Sequence, residues 1–411
     1  MPEKIFIGRI ISENLQPPKE NSVSPLDLLE MGVSATTQEG HGAARISRLA
    51  IVGTGLIGAS VGLAAKRAGV ERIAGFDPDP EALRVAHERG AVGLAAASPA
   101  EAVAQAQLVI VAAPVADLPA RVQEVLGLVG DTCTVTDVGS TKSAVCAAAS
   151  DDNRFIGGHP VCGSEARGPE YASAEMFIGA TWFLTPHAGT DPDCYRILHG
   201  FVVSLGAHPV AIDVAAHDRL VALTSHLPHA LSNLLVNQAG ATRIEGHEPL
   251  ASAGGSLRDM TRVAGANPRI WVDIFLENSG PLRAALAEHR RLIEQLEGAL
   301  GSGDADFVES WIAEAGLHRR HLLAEVYPDM GGLYRLRVHI ADQPGVLAGI
   351  TQVLGAERIN IEDLEMQHVS PDRGGSLSIV ISGEEEAHRA VELLEAQGYS
   401  VVISDILEEE A

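Results

Sequence analysis

The chain has no apolar run that approaches the roughly 18 residues of a membrane-spanning helix. Its N-terminal apolar patch, residues 5–11, is interrupted by Gly8 and Arg9, and no small-residue cleavage site follows, which argues against a signal peptide. Cysteine is also scarce: the four cysteines include no CxxC pair, so they indicate neither a zinc site nor a disulfide framework. We therefore expect a cytoplasmic protein with no membrane segment and no metal.

Positive charge is in deficit as well. Lysine and arginine number 30 against 54 acidic residues, and the formal net charge of −24 argues against partners such as nucleic acids and anionic membranes. Only four of the basic residues are lysines (Lys4, Lys19, Lys66 and Lys142), and none lies beyond residue 142. A local cluster of arginines can still bind an anionic substrate.

The pattern along the 411 residues divides them into four segments, and the length fits two or three folded domains. Residues 1–46 lack periodicity, which predicts a flexible leader or, alternatively, a docking arm. Residues 47–190 alternate short buried strands with helical stretches, which predicts a Rossmann-type, doubly wound parallel sheet. Residues 191–328 are helical by period and predict an all-α substrate and dimerisation domain. Residues 333–408 follow a βαββαβ order, typical of a small α+β module.

A glycine-rich loop follows the first predicted strand and begins a helix. In Gly53-x-Gly55-x-x-Gly58, backbone N–H groups can approach a pyrophosphate at the helix N-terminus. Asp77 follows 24 residues after Gly53, at the end of the next strand, where a carboxylate would bond a ribose hydroxyl and repel a 2′-phosphate. This combination predicts NAD rather than NADP. The candidate NAD contacts are Gly53, Gly55, Leu56, Ile57, Gly58, Asp77, Ala113, Pro114 and Ser140.

A histidine on a glycine-hinged strand end, His159 in Gly157-Gly158-His159-Pro160, is the candidate general base. Its ordinary pKa is near neutrality, and a base beside a nicotinamide suggests removal of a hydride from a carbon that bears a hydroxyl. Ser140 follows another strand that ends at the same crevice. Its hydroxyl can bond both the histidine and a substrate oxygen, or it merely caps the next helix.

Two further clusters lie in the helical segment. His226 and His229 are three residues apart on a helix that Pro228 should kink, and one of them should contact substrate while the other packs in the core. Arg258 and Arg262 are expected one turn apart on a helix, after the flexible Gly255, where two guanidinium groups suit a dicarboxylate.

Taken together, these motifs resemble the prephenate/arogenate dehydrogenase family over about residues 48–330. The matching segments are GTGLIGAS, DVGSTK, GGHPVCGSE, HDRLVALTSHLPHAL and RDMTRVAGANPRIWVDIFLEN. The resemblance implies oxidative decarboxylation, with His159 as base and Ser140 orienting it. It also implies that Arg262 holds a substrate carboxylate, that His229 contacts substrate, and that Glu165 gates the pocket by pairing with Arg258, a position where many relatives carry lysine.

The C-terminal module is similar to an ACT regulatory domain. The resemblance implies feedback inhibition by tyrosine, although a module that only forms dimers is an open alternative. The candidate regulatory residues are Asp342, Gly345, Leu347 and Asn360.

Several functional alternatives stay open at this point. The sequence does not decide between prephenate and arogenate as substrate. A β-hydroxyacid-type dehydrogenase would use a helical lysine, and the helical segment has none. A non-catalytic NAD or amino-acid sensor would not need the His159, Ser140 and Arg262 constellation.

Overall fold

The computed structural model describes residues 46–162, 166–326, 332–341, 343–370 and 374–406. These form two compact units: one runs up to Ser252 and includes Met260–Ala287, and the other comprises Ala253–Asp259 and the chain from Glu288. Most of the predicted leader lies outside the described residues. No helix in the described ranges is long and apolar enough to cross a membrane.

An eight-stranded sheet in the order β3-β2-β1-β4-β5-β6-β7-β8 is the centre of the first unit. All neighbouring strands are parallel except β6 and β7, which are antiparallel. The strands are β1 (Arg48–Val52), β2 (Arg72–Phe76), β3 (Leu94–Ala95), β4 (Leu108–Val111), β5 (Thr134–Asp137), β6 (Phe155–Pro160), β7 (Thr181–Thr185) and β8 (His208–Ala211).

Helices cover both faces of this sheet, because successive strand residues point to opposite sides. In β1, Leu49 and Ile51 belong to one apolar cluster, and Ala50 and Val52 belong to the other. Fully burying one such Leu or Ile side chain contributes about 1.5–3 kcal/mol. The connecting helices are α1 (Leu56–Arg67), α2 (Pro80–Glu88), α3 (Pro99–Val103), α4 (Leu118–Leu128), α5 (Ser143–Ala148) and α6 (Pro192–Ser204). The predicted doubly wound fold is confirmed.

The helical segment begins later than the sequence indicated. Strand β8 lies beyond the expected boundary at residue 190. It was not visible in the sequence, because four residues of strand are too few to interrupt a helical period. A continuous helix then contains α7 (Val214–Val221), a π-helical turn (Ala222–His226) and α8 (Leu227–Ala241). It is followed by α9 (Gly255–Met260), α10 (Pro268–Glu277), α11 (Ser279–Ser302) and α12 (Ala305–Val326).

The C-terminal part has the predicted βαββαβ order. Its antiparallel sheet runs β10-β11-β9-β12, and its buried core lies between the sheet and two helices. The elements are β9 (Leu333–Ile340), α13 (Val346–Ala356), β10 (Asp363–Ser370), β11 (Gly374–Ser382), α14 (Glu384–Ala396) and β12 (Ser400–Asp405). Its second strand, β10, begins at Asp363, and the preceding Ile359 is buried in the core of the module.

Candidate active site

The glycine loop between β1 and α1 is shaped by close backbone contacts. Gly53 has φ of +100°, and a Cβ there would lie 2.2 Å from the carbonyl oxygen of Ala112. A Cβ on Gly58 would lie 1.9 Å from the Gly53 carbonyl oxygen. At Gly55, by contrast, no described atom lies within 4 Å of the corresponding position. This open side faces the N-terminus of α1, so the loop fits the pyrophosphate of a dinucleotide.

Asp77 lies at the carboxyl end of β2, half-buried beside this loop. Its Oδ2 accepts a hydrogen bond from the backbone N–H of Thr54 at 2.6 Å, and its Oδ1 accepts one from Asp79 N–H at 2.9 Å. A carboxylate has further acceptor positions, so the ribose hydroxyls of a bound dinucleotide can still bond to it. Leu56 and Ile57 form the first turn of α1, and Ala113 and Pro114 follow β4 closely, all near the same edge of the sheet.

His159 lies near the carboxyl end of β6, and its partner is another histidine. Its Nδ1 is 2.9 Å from Nε2 of His217, and Nδ1 of His217 is 2.8 Å from Oδ1 of Asp218. The sequence patterns indicated no role for His217 or Asp218. The available signal was an adjacent His–Asp pair in the first turns of α7, directly after its N-cap Asp213.

The electrostatic surroundings of His159 favour its neutral form. Burial first, and then the Lys142 ammonium, hold the pKa of His159 well below its usual range. For Asp218, burial alone would raise the pKa, but hydrogen bonds from His217, Ser143 and the Lys142 backbone outweigh it and lower the pKa to about 2. At neutral pH the site therefore contains a neutral imidazole linked to an ionised carboxylate.

A buried ion pair fixes the loop after β5 next to His159. The Lys142 ammonium donates to Oδ2 of Asp137, and both side chains are fully buried. Asp137 also accepts hydrogen bonds from Gly139 N–H at 2.8 Å and from Gly158 N–H at 3.1 Å, which joins this loop to β6. Ser140 lies in the same loop and is half-buried, and its hydroxyl forms no hydrogen bond with any of the described residues. Its bond to His159 stays a prediction.

The structure separates the surroundings of the two helical histidines. His226 is buried, its Nδ1 is 3.0 Å from Asn278 Nδ2, and burial lowers its pKa to about 4. His229 is half-buried and stacks on Trp271 with ring centroids 3.5 Å apart. His229 Nδ1 donates to the Ser225 carbonyl at 3.0 Å, so the neutral ring leaves Nε2 as an acceptor.

The prediction that Arg258 and Arg262 lie one turn apart on one helix is wrong. Helix α9 ends at Met260, and Arg262 lies in the turn that follows, where Gly265 has φ of +78° before the next helix. Arg258 and Gly255 belong to the second compact unit, and Arg262 belongs to the first. The pKa of His229 is lowered by burial and also by the positive charge of Arg262, so these two side chains share one region.

Two predicted residues, Glu165 and Asp342, lie outside the described residues. Of the other candidate regulatory positions, Gly345 has φ of +93° and begins α13, and Leu347 packs against the core of the module. Asn360 is exposed and donates to Glu362 at 2.7 Å. The regulatory roles of these residues stay predictions.

Known proteins with similar sequences and structures agree with this arrangement. The chain matches the family models for the prephenate dehydrogenase nucleotide-binding domain (residues 61–211), the prephenate dehydrogenase dimerization domain (213–314) and the ACT domain (334–398). It is 31% identical to the prephenate dehydrogenase of Bacillus subtilis (strain 168) over 355 residues, which cover 84% of this chain and 95% of that protein.

Two solved structures are also similar. Prephenate dehydrogenase from Aquifex aeolicus, in complex with hydroxyphenyl propionate and NAD+, has a TM-score of 0.64 at 26% identity, covering 67% of this chain and 98% of that one. The arogenate dehydrogenase of Synechocystis has a TM-score of 0.61 at 28% identity, covering 66% and 98%.

The fold and the site define a nucleotide-dependent dehydrogenase in which a Rossmann-type domain precedes a helical domain. Within that class, the three family models and the similarity to the Bacillus enzyme identify the relatives. The chain belongs to the prephenate dehydrogenase family, as its sequence motifs predicted.

Proposed function

We propose that this chain catalyses the NAD-dependent oxidative decarboxylation of prephenate to 4-hydroxyphenylpyruvate, a step of tyrosine biosynthesis. Membership of the family supports the reaction. The observation that carries it here is the position of His159, hydrogen-bonded to His217 at the carboxyl edge of the sheet that also bears the glycine loop and Asp77.

The residues of the chain divide the chemical work. The bound nicotinamide supplies the hydride acceptor. His159 accepts the proton of the ring hydroxyl at Nε2, since its Nδ1 is engaged by His217. As the ketone forms it acts as an electron sink, carbon dioxide leaves the opposite ring carbon, and the ring becomes aromatic. Ser140 orients the hydroxyl, and no metal is needed.

Substrate binding depends on Arg262 and His229. The guanidinium of Arg262 binds a substrate carboxylate. The stacked, half-buried ring of His229 presents Nε2 as an acceptor toward the substrate. Glu165 gates the pocket, paired with Arg258.

Arogenate is the second candidate substrate, because an arogenate dehydrogenase has nearly the same structural similarity as the prephenate enzymes. The two substrates differ in a ketone versus an amino group on the side chain. Steady-state kinetics with both substrates, with NAD and NADP, and with or without tyrosine, test the proposal. If neither substrate gives NADH, the proposal is refuted, and a non-catalytic NAD or amino-acid sensor is favoured instead.

We further propose that the chain works as a cytoplasmic homodimer in which tyrosine binds between paired ACT modules. Its four cysteines are free, as expected in a reducing compartment. Helices α11 and α12 expose large apolar side chains that a second copy would cover: Leu292, Leu300, Trp311, Ile312, Leu317 and Leu322. Sedimentation equilibrium tests the dimer. A monomer at micromolar concentration would contradict it.

A further inference from the structure

A buried chain of hydrogen bonds leads from His159 into the first compact unit. His159 Nδ1 is 2.9 Å from His217 Nε2, and His217 Nδ1 is 2.8 Å from Asp218 Oδ1. His217 is fully buried, and Asp218 is 1% exposed. Burying polar groups costs free energy unless each group has a hydrogen-bond partner. Every donor in this series must therefore face an acceptor, which restricts where the protons can lie.

Asp218 determines the direction of these hydrogen bonds. Its Oδ1 accepts from Lys142 N–H at 2.9 Å, and its Oδ2 accepts from Ser143 N–H at 2.9 Å and from the Ser143 hydroxyl. An ionised carboxylate can only accept, so His217 must donate from Nδ1. A neutral His217 then offers a lone pair at Nε2, to which His159 donates from Nδ1. The Nε2 of His159 is left without a proton.

We propose that Asp218, acting through His217, holds His159 in the tautomer that has a bare Nε2 and stabilises the imidazolium that forms there. The inference rests on the proposed function and adds two positioning residues to it. In the reaction, the substrate O–H bond breaks and an Nε2–H bond forms. The electron pair of the O–H bond stays on oxygen and forms the carbonyl as the hydride leaves.

The proton does not travel on to Asp218. A carboxyl group whose pKa is about 2 is protonated in only on the order of one molecule in 10⁵ at neutral pH. The positive charge therefore resides on the two imidazoles, with the carboxylate beside them. Among the described groups around His159, Lys142, His217 and His226 disfavour its protonation, and Asp218 favours it. The Asp137 carboxylate, paired with Lys142, accepts from the N–H of the neighbouring Gly158.

Nitrogen-15 NMR of histidine-labelled enzyme tests the tautomer without any turnover. We expect the His159 signals, assigned with His159→Asn, to show a proton on Nδ1 and none on Nε2 at pH 7. A charged His217 would donate from both nitrogens and force the proton of His159 onto Nε2. That pattern would overturn the proposal, whatever the substrate proves to be.

Kinetics of Asp218→Asn test the consequence. The asparagine amide would direct an N–H at groups that donate to Asp218 in the wild type. His217 would then accept at Nδ1 and donate from Nε2, and the proton of His159 would move to Nε2. We expect kcat to fall by about 10²–10⁴, as in triads that lose such a carboxylate, with KM changed less than about threefold. The acid limb of kcat/KM should move to lower pH, since the negative charge of Asp218, which favours protonated His159, is gone.

Three further variants separate positioning from a merely structural role. Asp213→Asn changes the exposed N-cap of the same helix, where asparagine caps equally well, and should leave kcat and the acid limb unchanged. His217→Gln can still accept from His159 and should retain more activity than His217→Leu. If Asp218→Asn lowers only the melting temperature, or leaves the acid limb in place, the proposal is wrong. If the wild-type enzyme fails to oxidise prephenate, the proposed function fails, and the NMR result still decides the tautomer.

Discussion

Replacing His159 with asparagine removes the ring nitrogen that accepts the substrate proton and keeps a polar side chain. We expect the variant to fold and bind NAD, with kcat lower by about 10²–10⁴. In the wild type, activity should fall at a pH below the ordinary histidine range, because burial and the Lys142 ammonium hold the pKa of His159 well below its usual value. NAD titration, circular dichroism and a pH profile check this. A near-normal kcat would make His229 the next candidate base.

Asp77 is expected to set cofactor choice. Asp77→Ser should raise the KM for NAD and relax discrimination against NADP, because the carboxylate both bonds the ribose and repels a 2′-phosphate. The carboxylate also accepts from Thr54 N–H, so Asp77→Asn is the matched control that keeps an acceptor oxygen and removes the charge. Kinetics with both cofactors decide the matter. A wild-type enzyme that uses NADP as efficiently as NAD would contradict the prediction.

Arg262 should act mainly through substrate binding. Arg262→Ala is expected to raise KM far more than it lowers kcat, because a carboxylate contact is shared by the ground and transition states. A substrate carboxylate that is buried in the complex without its partner would cost about 2–5 kcal/mol, so the effect should be large. Arg269→Ala, an exposed arginine on α10, is the control. An unchanged KM in Arg262→Ala would place this side chain on a solvated edge.

At the scale of elements, the loop after β5 depends on its buried ion pair. Lys142→Met leaves Asp137 buried without its cationic partner, and we expect the free energy of unfolding to fall by about 3–5 kcal/mol. Lys66→Met, at an exposed lysine on α1, should change it by less than about 0.5 kcal/mol. Urea denaturation compares the two. If the two variants are equally stable, the backbone N–H groups of Gly139 and Gly158 are sufficient partners for Asp137 without the lysine.

Local signals made the nucleotide half of the site predictable. Gly53, Gly58 and Asp77 follow strand ends, and their spacing is readable without tertiary structure. The contact of His159 with His217 is not, because 58 residues separate the two rings in sequence, including β7, α6 and β8. The error at Arg258 and Arg262 concerns a helix end, which is the least predictable part of a helix: α9 ends at Met260, and a turn with Gly265 at φ of +78° follows.

At the scale of the whole molecule, regulation by tyrosine requires a second site whose affinity differs between two states. A chain that ends at residue 326 should keep its activity and lose tyrosine sensitivity. Inhibition curves for the truncated and full-length enzymes measure this. The competing account is product inhibition at Arg262, since tyrosine resembles the substrate. An active truncated enzyme with full sensitivity would favour that account.

The π-helical turn determines how the side chains before and after it are oriented around the axis of the long helix from Val214 to Ala241. In a regular α-helix, twelve residues at about 100° each would leave His217 and His229 about 120° apart around the axis. The wider turn at Ala222–His226 absorbs about one residue and reduces that angle to about 20°. Without the wider turn, the same twelve residues would place the two imidazoles on different sides of the helix. Deleting one residue within the turn would instead leave eleven residues of regular helix and would keep the two imidazoles about 20° apart.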